Sequence, residues 1–402
     1  MTAGTAALDG AAASQDQQPP HVPLWLLALF TFSGTLAMHI FVPALAMAGR
    51  DLNAGNGAMQ MTVSLYIIGL AVGQLIYGPL SDRYGRRRVL MVGLVIYTVA
   101  GLAAALAPQV YALIAARLFQ ALGGCAGLVL GRAMVRDTAA PSEAAKRLAL
   151  MNLMVTVAPG IAPIVGGALA ASLGWRAVLF VLCLLGVMNL LFAWRLLPET
   201  GAAVARVTAS VLARHYRRLL GSREFLGYAI GGGCATTSMF AFVASAPFIF
   251  VDQLHRPADE VGLYLAVLVS GVWLGSVVTT RLINRIPLIR LVVAGNAFSA
   301  VAAVAMLLLV LSGHVAVAPL VILMFFYTFG AGVAGPTALT LAVSVNPQII
   351  GSASGLYGAV QMAVGALCTA LAGLGASPVE ASRWLLVSRL DAFKIVGIRQ
   401  FA

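Results

Sequence analysis

Apolar runs of about 20 residues recur eleven times along this chain, and that repetition limits the fold more than any other feature. A run of that length crosses the roughly 30 Å hydrocarbon core of a bilayer. In lipid it must satisfy its own backbone N–H and C=O groups, so it is a helix. The pattern predicts spans at Pro23–Met47, Gln60–Leu80, Val89–Ala107, Val110–Arg132, Leu148–Leu173, Trp175–Leu196, Phe225–Val251, Val261–Ile283, Pro287–Leu311, Val315–Val343 and Ser352–Leu374. A soluble fold fails on composition. Hydrophobic residues are 61% of the 402 and charged residues only 9%, against about 25% charged in an ordinary soluble domain. One core cannot hide that much apolar surface, so the fold class is an all-α polytopic membrane protein.

The net charge of +12 would suggest nucleic acid in a soluble chain; here its placement argues against such a partner. Arginine and lysine mark the cytoplasmic side of a membrane protein. Arg83, Arg86, Arg87 and Arg88 follow the second span, and Arg132, Arg136, Lys146 and Arg147 follow the fourth. The central loop adds Arg195, Arg206, Arg214, Arg217, Arg218 and Arg223, and the loop after the eighth span adds Arg281, Arg285 and Arg290. Loops on the other side carry only Arg50, Arg176 and Arg256. An N-terminus on the cytoplasmic face of the inner membrane is therefore expected. The first span is too long for a signal peptide, and no Lys or Arg precedes it. Residues 1–22, rich in Ala, Gln and Pro, read as a disordered cytoplasmic tail. Cys125, Cys183, Cys234 and Cys368 all fall within spans and read as small packing residues.

An internal repeat organises the chain. Gly69 and Gly73, then Asp82-Arg83, Arg88 and Gly93, recur as Gly271 and Gly275, then Asn284-Arg285, Arg290 and Gly295, at a constant offset of 202 residues. Each copy runs from the second span of its half into the third. The expected layout is a six-helix half over 23–197, a basic central loop over 198–223 and a second half over 224–377. Two parallel repeats joined by a basic loop suit a carrier that rocks around a central site. The second half is one span short, because the charged tail 378–402 has no apolar run long enough to cross. That tail is either a surface helix or the trace of a last span lost through frameshift or truncation; the abrupt change after Ser377 favours the second.

Between the second and third spans stands Gly78-Pro79-Leu80-Ser81-Asp82-Arg83-Tyr84-Gly85-Arg86-Arg87-Arg88. A turn with basic flanks explains the arginines but not the whole Gly-x-Leu-x-Asp-Arg-x-Gly-Arg-Arg spacing, which resembles the signature of the major facilitator superfamily. Val42-Pro43-Ala44-Leu45, Gly73-Gln74-Leu75-Ile76-Tyr77-Gly78-Pro79, Arg117-Leu118-Phe119-Gln120, Val135-Arg136-Asp137 and Ala158-Pro159 with Pro163-Ile164-Val165-Gly166-Gly167 are similar to its drug:proton antiporters of the bicyclomycin and chloramphenicol resistance branch. The resemblance runs from about residue 25 to about 375. It implies a major facilitator fold of two six-helix halves, with the twelfth helix missing or altered here. It also implies that Gly78, Asp82, Arg83, Gly85, Arg86 and Arg87 form a latch between the halves, with Asp82 near the start of the eleventh span at Gly351–Ser352. Pro159, Pro163, Gly166 and Gly167 then form the antiporter-motif helix, although Ala162 stands where that motif has glycine. Related exporters carry an aspartate in the first span, four residues before the proline, where this chain has His39.

No Asp or Glu lies well inside any predicted span, which leaves His39 and Arg117 as the ionisable residues deep in the membrane. Such residues are functional candidates by default. His39 lies roughly 22 Å along its helix from the basic end, and Arg117 roughly 10 Å from the opposite end, so both fall at similar depth and could share one polar cavity. Packing explains either as well: His39 bonded to a carbonyl or Thr35, and Arg117 tied to backbone carbonyls. Gln120, Asn152 and Gln361 are further hydrogen-bonding candidates for a proton-coupling and substrate cavity, and Asn189 is another polar group within a span. Phe240, Phe242, Phe248, Phe325, Phe326, Tyr327 and Tyr357 either line an apolar cavity or pack against lipid and core.

The expected function is secondary active export of small amphiphilic drugs, phenicol- or bicyclomycin-like, by proton antiport with alternating access. A proton-independent facilitator or uptake carrier for a small metabolite is the alternative that the missing carboxylate supports. An enzyme is not expected, since no carboxylate pair, His cluster or Cys-x-x-Cys is present, and no phosphate-binding loop offers direct ATP drive. The expected partners are a small-molecule substrate and membrane lipid around a monomer. No metal or cofactor is expected, with the proton gradient as the energy source.

Overall fold

A computed structural model describes residues 22–139, 141–200, 209–237, 239–283, 285–346 and 350–374. The tail 378–402 and most of the N-terminal tail lie outside the described residues. The described chain is helical, in fourteen α-helices: α1 Leu24–His39, α2 Leu45–Asp51, α3 Asn56–Tyr84, α4 Arg86–Ala105, α5 Val110–Thr138, α6 Pro141–Leu173, α7 Trp175–Leu196, α8 Ala209–Leu220, α9 Arg223–Thr237, α10 Met239–Pro247, α11 Ala258–Leu282, α12 Leu288–Leu311, α13 Val317–Ser344 and α14 Ile350–Leu374. Ten passages among these are long and apolar enough to cross a bilayer. The fifth expected span, Leu148–Leu173, lies within α6.

Two spans are interrupted where the sequence pattern predicts continuous helix, each at a proline. The first breaks after His39 into a 3₁₀ turn, Val42–Ala44, before α2 resumes. Pro43 has no N–H to give the His39 carbonyl four residues back, and its ring crowds that carbonyl. The Ala44 N–H then bonds to Phe41 O at 3.0 Å, which takes the Ile40 carbonyl out of the helical ladder. The seventh span comprises α9 and α10 and ends in a π-helical turn, Phe248–Gln253, just after Pro247. A third departure is at the other end of the scale: α5 runs to Thr138, six residues past the expected end at Arg132. Arg132 and Arg136 are thus helix residues rather than loop residues.

Helices α1 and α3 to α7 pack among themselves, as do α9 to α14, and the repeated glycines sit at matching contacts. Gly69 and Gly73 bring α3 against α5, as Gly271 and Gly275 bring α11 against α13. Gly93 seats α4 on α5, and Gly295 seats α12 on α13. Small residues at such contacts let backbones approach closely, which is how helices associate where no hydrophobic drive exists. The two groups meet along α3 with α14 and along α6 with α11.

Candidate functional site

At the end away from the basic loops, the two groups of helices are closely packed. The 3₁₀ turn Val42–Ala44 is fully buried and lies against α6, α10 and α11. Gln60 Nε2 on α3 donates to Ser245 Oγ on α10 at 3.1 Å, a buried bond between the groups. Gly166 on α6 lies so close to the freed Ile40 carbonyl that a Cβ would collide with it, and Gly262 on α11 meets the Pro163 carbonyl in the same manner. Pro159 and Pro163 stand within an uninterrupted helix, and Pro163, Gly166 and Gly167 are buried. The antiporter-motif residues therefore sit where α6 touches both α1 and α11.

Deeper in, Arg117 is 1% exposed and enclosed by its own group of helices. Its Nη2 donates to Ala37 O at 2.8 Å and its Nη1 to Gln120 Oε1 at 2.7 Å. The guanidinium lies 4.2 Å from the Tyr66 ring centroid and 5.4 Å from that of Phe41, while Tyr66 Oη donates to Gly34 O at 2.9 Å. Among the described residues no carboxylate pairs with it. An arginine in hydrocarbon costs several kcal/mol by the lowest scales, and the two bonds and stacked rings offset part of that. Asn189 adds a nearby polar link, its Nδ2 donating to Ser33 Oγ at 2.6 Å.

His39 does not join this group. It is 4% exposed and faces Phe240 of α10, ring centroids 6.0 Å apart, so it looks across to the other helices. No hydrogen bond or ring contact links His39 and Arg117 among the described residues. The break at Pro43 turns the chain at His39, an effect that depth along a straight helix does not capture. Gln361 lies elsewhere again, with its Nε2 bonded to Thr236 Oγ1 and its carbonyl accepting from Thr237 Oγ1 at 2.9 Å. The Asn152 side chain lies outside the described residues. Phe240, Phe242, Phe248, Tyr327 and Tyr357 are buried, whereas Phe326 is exposed on the outer surface.

At the basic end the signature residues form a compact network. Arg86 binds Asp82 at 2.6 Å and Asp137 at 2.9 Å, and also reaches Ser81. Gly85, at φ +92°, makes the joint between α3 and α4 in a conformation that L side chains avoid. Glu199 then accepts from the Arg86 N–H at 2.7 Å and the Arg87 N–H at 3.3 Å, a carboxylate capping the N-terminus of α4. Arg87 also donates to Trp194 O at 2.6 Å, and Arg83 lies over Tyr84. Asp82 and Ser352 line one cavity of about 280 Å³ between the two groups, together with Gly78, Gln74 and Arg132. Asp82 pairs with Arg86 within its own group and lines the same cavity as Ser352 at the start of α14. Glu199, Asp137 and Arg132 are the participants that the sequence reading left without a role. Among the described residues no three His, Cys, Asp or Glu gather as a metal site.

Residues 27–369 match the Major Facilitator Superfamily model. The chain belongs to the major facilitator superfamily. Among its superfamily relatives is Multidrug resistance protein D of Escherichia coli, 31% identical over 343 residues, 84% of this chain and 85% of the relative. The Bicyclomycin resistance protein homolog of Haemophilus influenzae is 24% identical over 360 residues, covering 88% and 89%. A crystal structure of a D-xylose-proton symporter superposes with TM-score 0.74 at 16% identity, over 92% of this chain and 97% of that one, which establishes the shared fold. The chain is thus a major facilitator transporter, integral to the membrane.

Proposed function

We propose that this transporter exports small amphiphilic compounds, drugs among them, by alternating access in exchange for protons. The basic end and the N-terminus then face the cytoplasm across the inner membrane, as the placement of arginine favours. The observation that carries the reading is the asymmetry between the two ends. The helix groups are packed together around Val42–Ala44 and Gln60–Ser245, while a cavity separates them around Asp82 and Ser352. That is the arrangement of a carrier loading from its basic end. Likeness to a multidrug resistance protein and a bicyclomycin resistance homolog supports drugs as cargo. Small-molecule binding needs no cofactor, and the carrier is read as a monomer.

His39 is the residue to which we assign the proton, because it is buried, faces the second group of helices and stands at the break in the first span. A second reading, a carrier without proton coupling, is favoured by one specific observation: no Asp or Glu lies within the membrane interior of the sequence. Accumulation of chloramphenicol in cells making the protein, with and without a proton uncoupler, separates the two. Proton antiport predicts lower accumulation than in cells lacking the protein, lost when the uncoupler is added. Low accumulation that survives the uncoupler would leave only the uncoupled carrier, and accumulation equal to that of control cells would remove drug export.

A further inference from the structure

The cavity at the basic end contains an arginine with a buried donor that has no partner among the described residues. Arg132 lines it from α5, with Nε buried and without a hydrogen-bond partner among the described residues. Arg136, one turn along the same helix, lines the cavity too, and no ion pair engages it among the described residues. Arg86 engages Asp82, the carboxylate on the cavity wall, at 2.6 Å and Asp137 at 2.9 Å, and Glu199 is bonded to the N–H groups of Arg86 and Arg87. Two positive charges therefore face the space without compensation. The rest of the lining supplies apolar surface in Val129, Leu212 and Tyr216, and hydroxyls in Ser352 and Ser354 at the start of α14.

We infer that this cavity binds an amphiphile bearing an oxyanion, whether carboxylate, sulfonate or phosphate, with the anionic group on Arg132 and the apolar body against Leu212 and Tyr216. A guanidinium offers a planar fork of donors that fits such groups, and charge-assisted bonds of this kind are the strong ones. A cation entering the same space would meet two like charges, and the one carboxylate on the wall already has its arginine. As a substrate class this rests on the export reading above. As a binding site it does not, so its test reads binding with no transport step.

The purified full chain in a neutral maltoside detergent is titrated calorimetrically with naphthalene-2-sulfonate and with 2-naphthyltrimethylammonium, two probes of similar shape and opposite charge. The sulfonate is expected to bind at least about tenfold more tightly, and Arg132→Gln is expected to weaken it by about tenfold, as loss of a charged hydrogen bond would. Arg132→Lys should restore part of that loss. Equal binding of the two probes by the unmodified protein, a result independent of any variant's folding, would overturn the proposal. So would unchanged sulfonate binding by a folded Arg132→Gln protein. Repeating the titration in phosphatidylcholine nanodiscs with and without phosphatidylglycerol identifies the natural occupant. Competition by phosphatidylglycerol that vanishes in Arg132→Gln supports the oxyanion site with a lipid headgroup in it. Binding that phosphatidylglycerol leaves unchanged supports a soluble amphiphile.

Discussion

Arg117 shows how a single side chain can be held in the membrane without an opposite charge. Its two donated bonds go to Ala37 O and Gln120 Oε1, and its flat face rests on Tyr66. A lysine ammonium would keep the charge but lose the fork and the stacking. Arg117→Lys is therefore expected to lower transport by at least about tenfold in a normally inserted protein, since each charged hydrogen bond is worth about 1.5–3 kcal/mol. Wild-type transport by that variant, measured as drug efflux at matched expression, would leave the positive charge alone as the requirement. The sequence identified Arg117 by its depth in an apolar run. It could not supply the partners, because Ala37 contributes only a carbonyl and any residue type could have done so. Glu199 was illegible for a related reason: its target is the pair of N–H groups that opens α4, and backbone donors leave no trace in the side-chain pattern.

The existence of the membrane helices was legible, because length in hydrocarbon dictates it, whereas α8 within the expected central loop and the helix interruptions had to be seen. Pro43 and Pro247 break their spans, while Pro79, Pro159, Pro163 and Pro336 sit within continuous helices. At the first break the Ile40 carbonyl meets the bare face of Gly166. Gly166→Ala would drive a methyl group into backbone that has nowhere to go, so it is expected to destabilise the protein by about 1–3 kcal/mol. The readout is a lower melting temperature in detergent together with lower transport; an unshifted melting temperature would mean that α6 does not need this contact. Gly85→Ala tests the opposite end. Its positive φ costs an alanine about 1–2 kcal/mol, and the new methyl displaces Glu199 from the start of α4. The expected result is a destabilised protein whose melting temperature Glu199→Gln also lowers.

The two groups of helices touch at one end and part at the other, and the bond between Gln60 and Ser245 marks the closed end. Gln60→Cys with Ser245→Cys, linked by a short bifunctional methanethiosulfonate, is expected to halt transport, with reductant restoring it. Transport that continues while the link is in place would show that this end need not open. Among the described residues the buried side chains include His39 and Arg117 but no carboxylate. That absence bears on voltage. With the basic end inside, an anion leaving the cell moves down an inside-negative potential and gains about 2.3 kcal/mol per 100 mV, enough for a gradient of roughly fiftyfold at 1.4 kcal/mol per decade. An anion carrier oriented this way can thus draw work from the electrical field as well as from the proton gradient. Collapsing the potential in vesicles with valinomycin and potassium at constant pH is then expected to slow anion export, and collapsing the pH difference with nigericin as well is expected to slow it further.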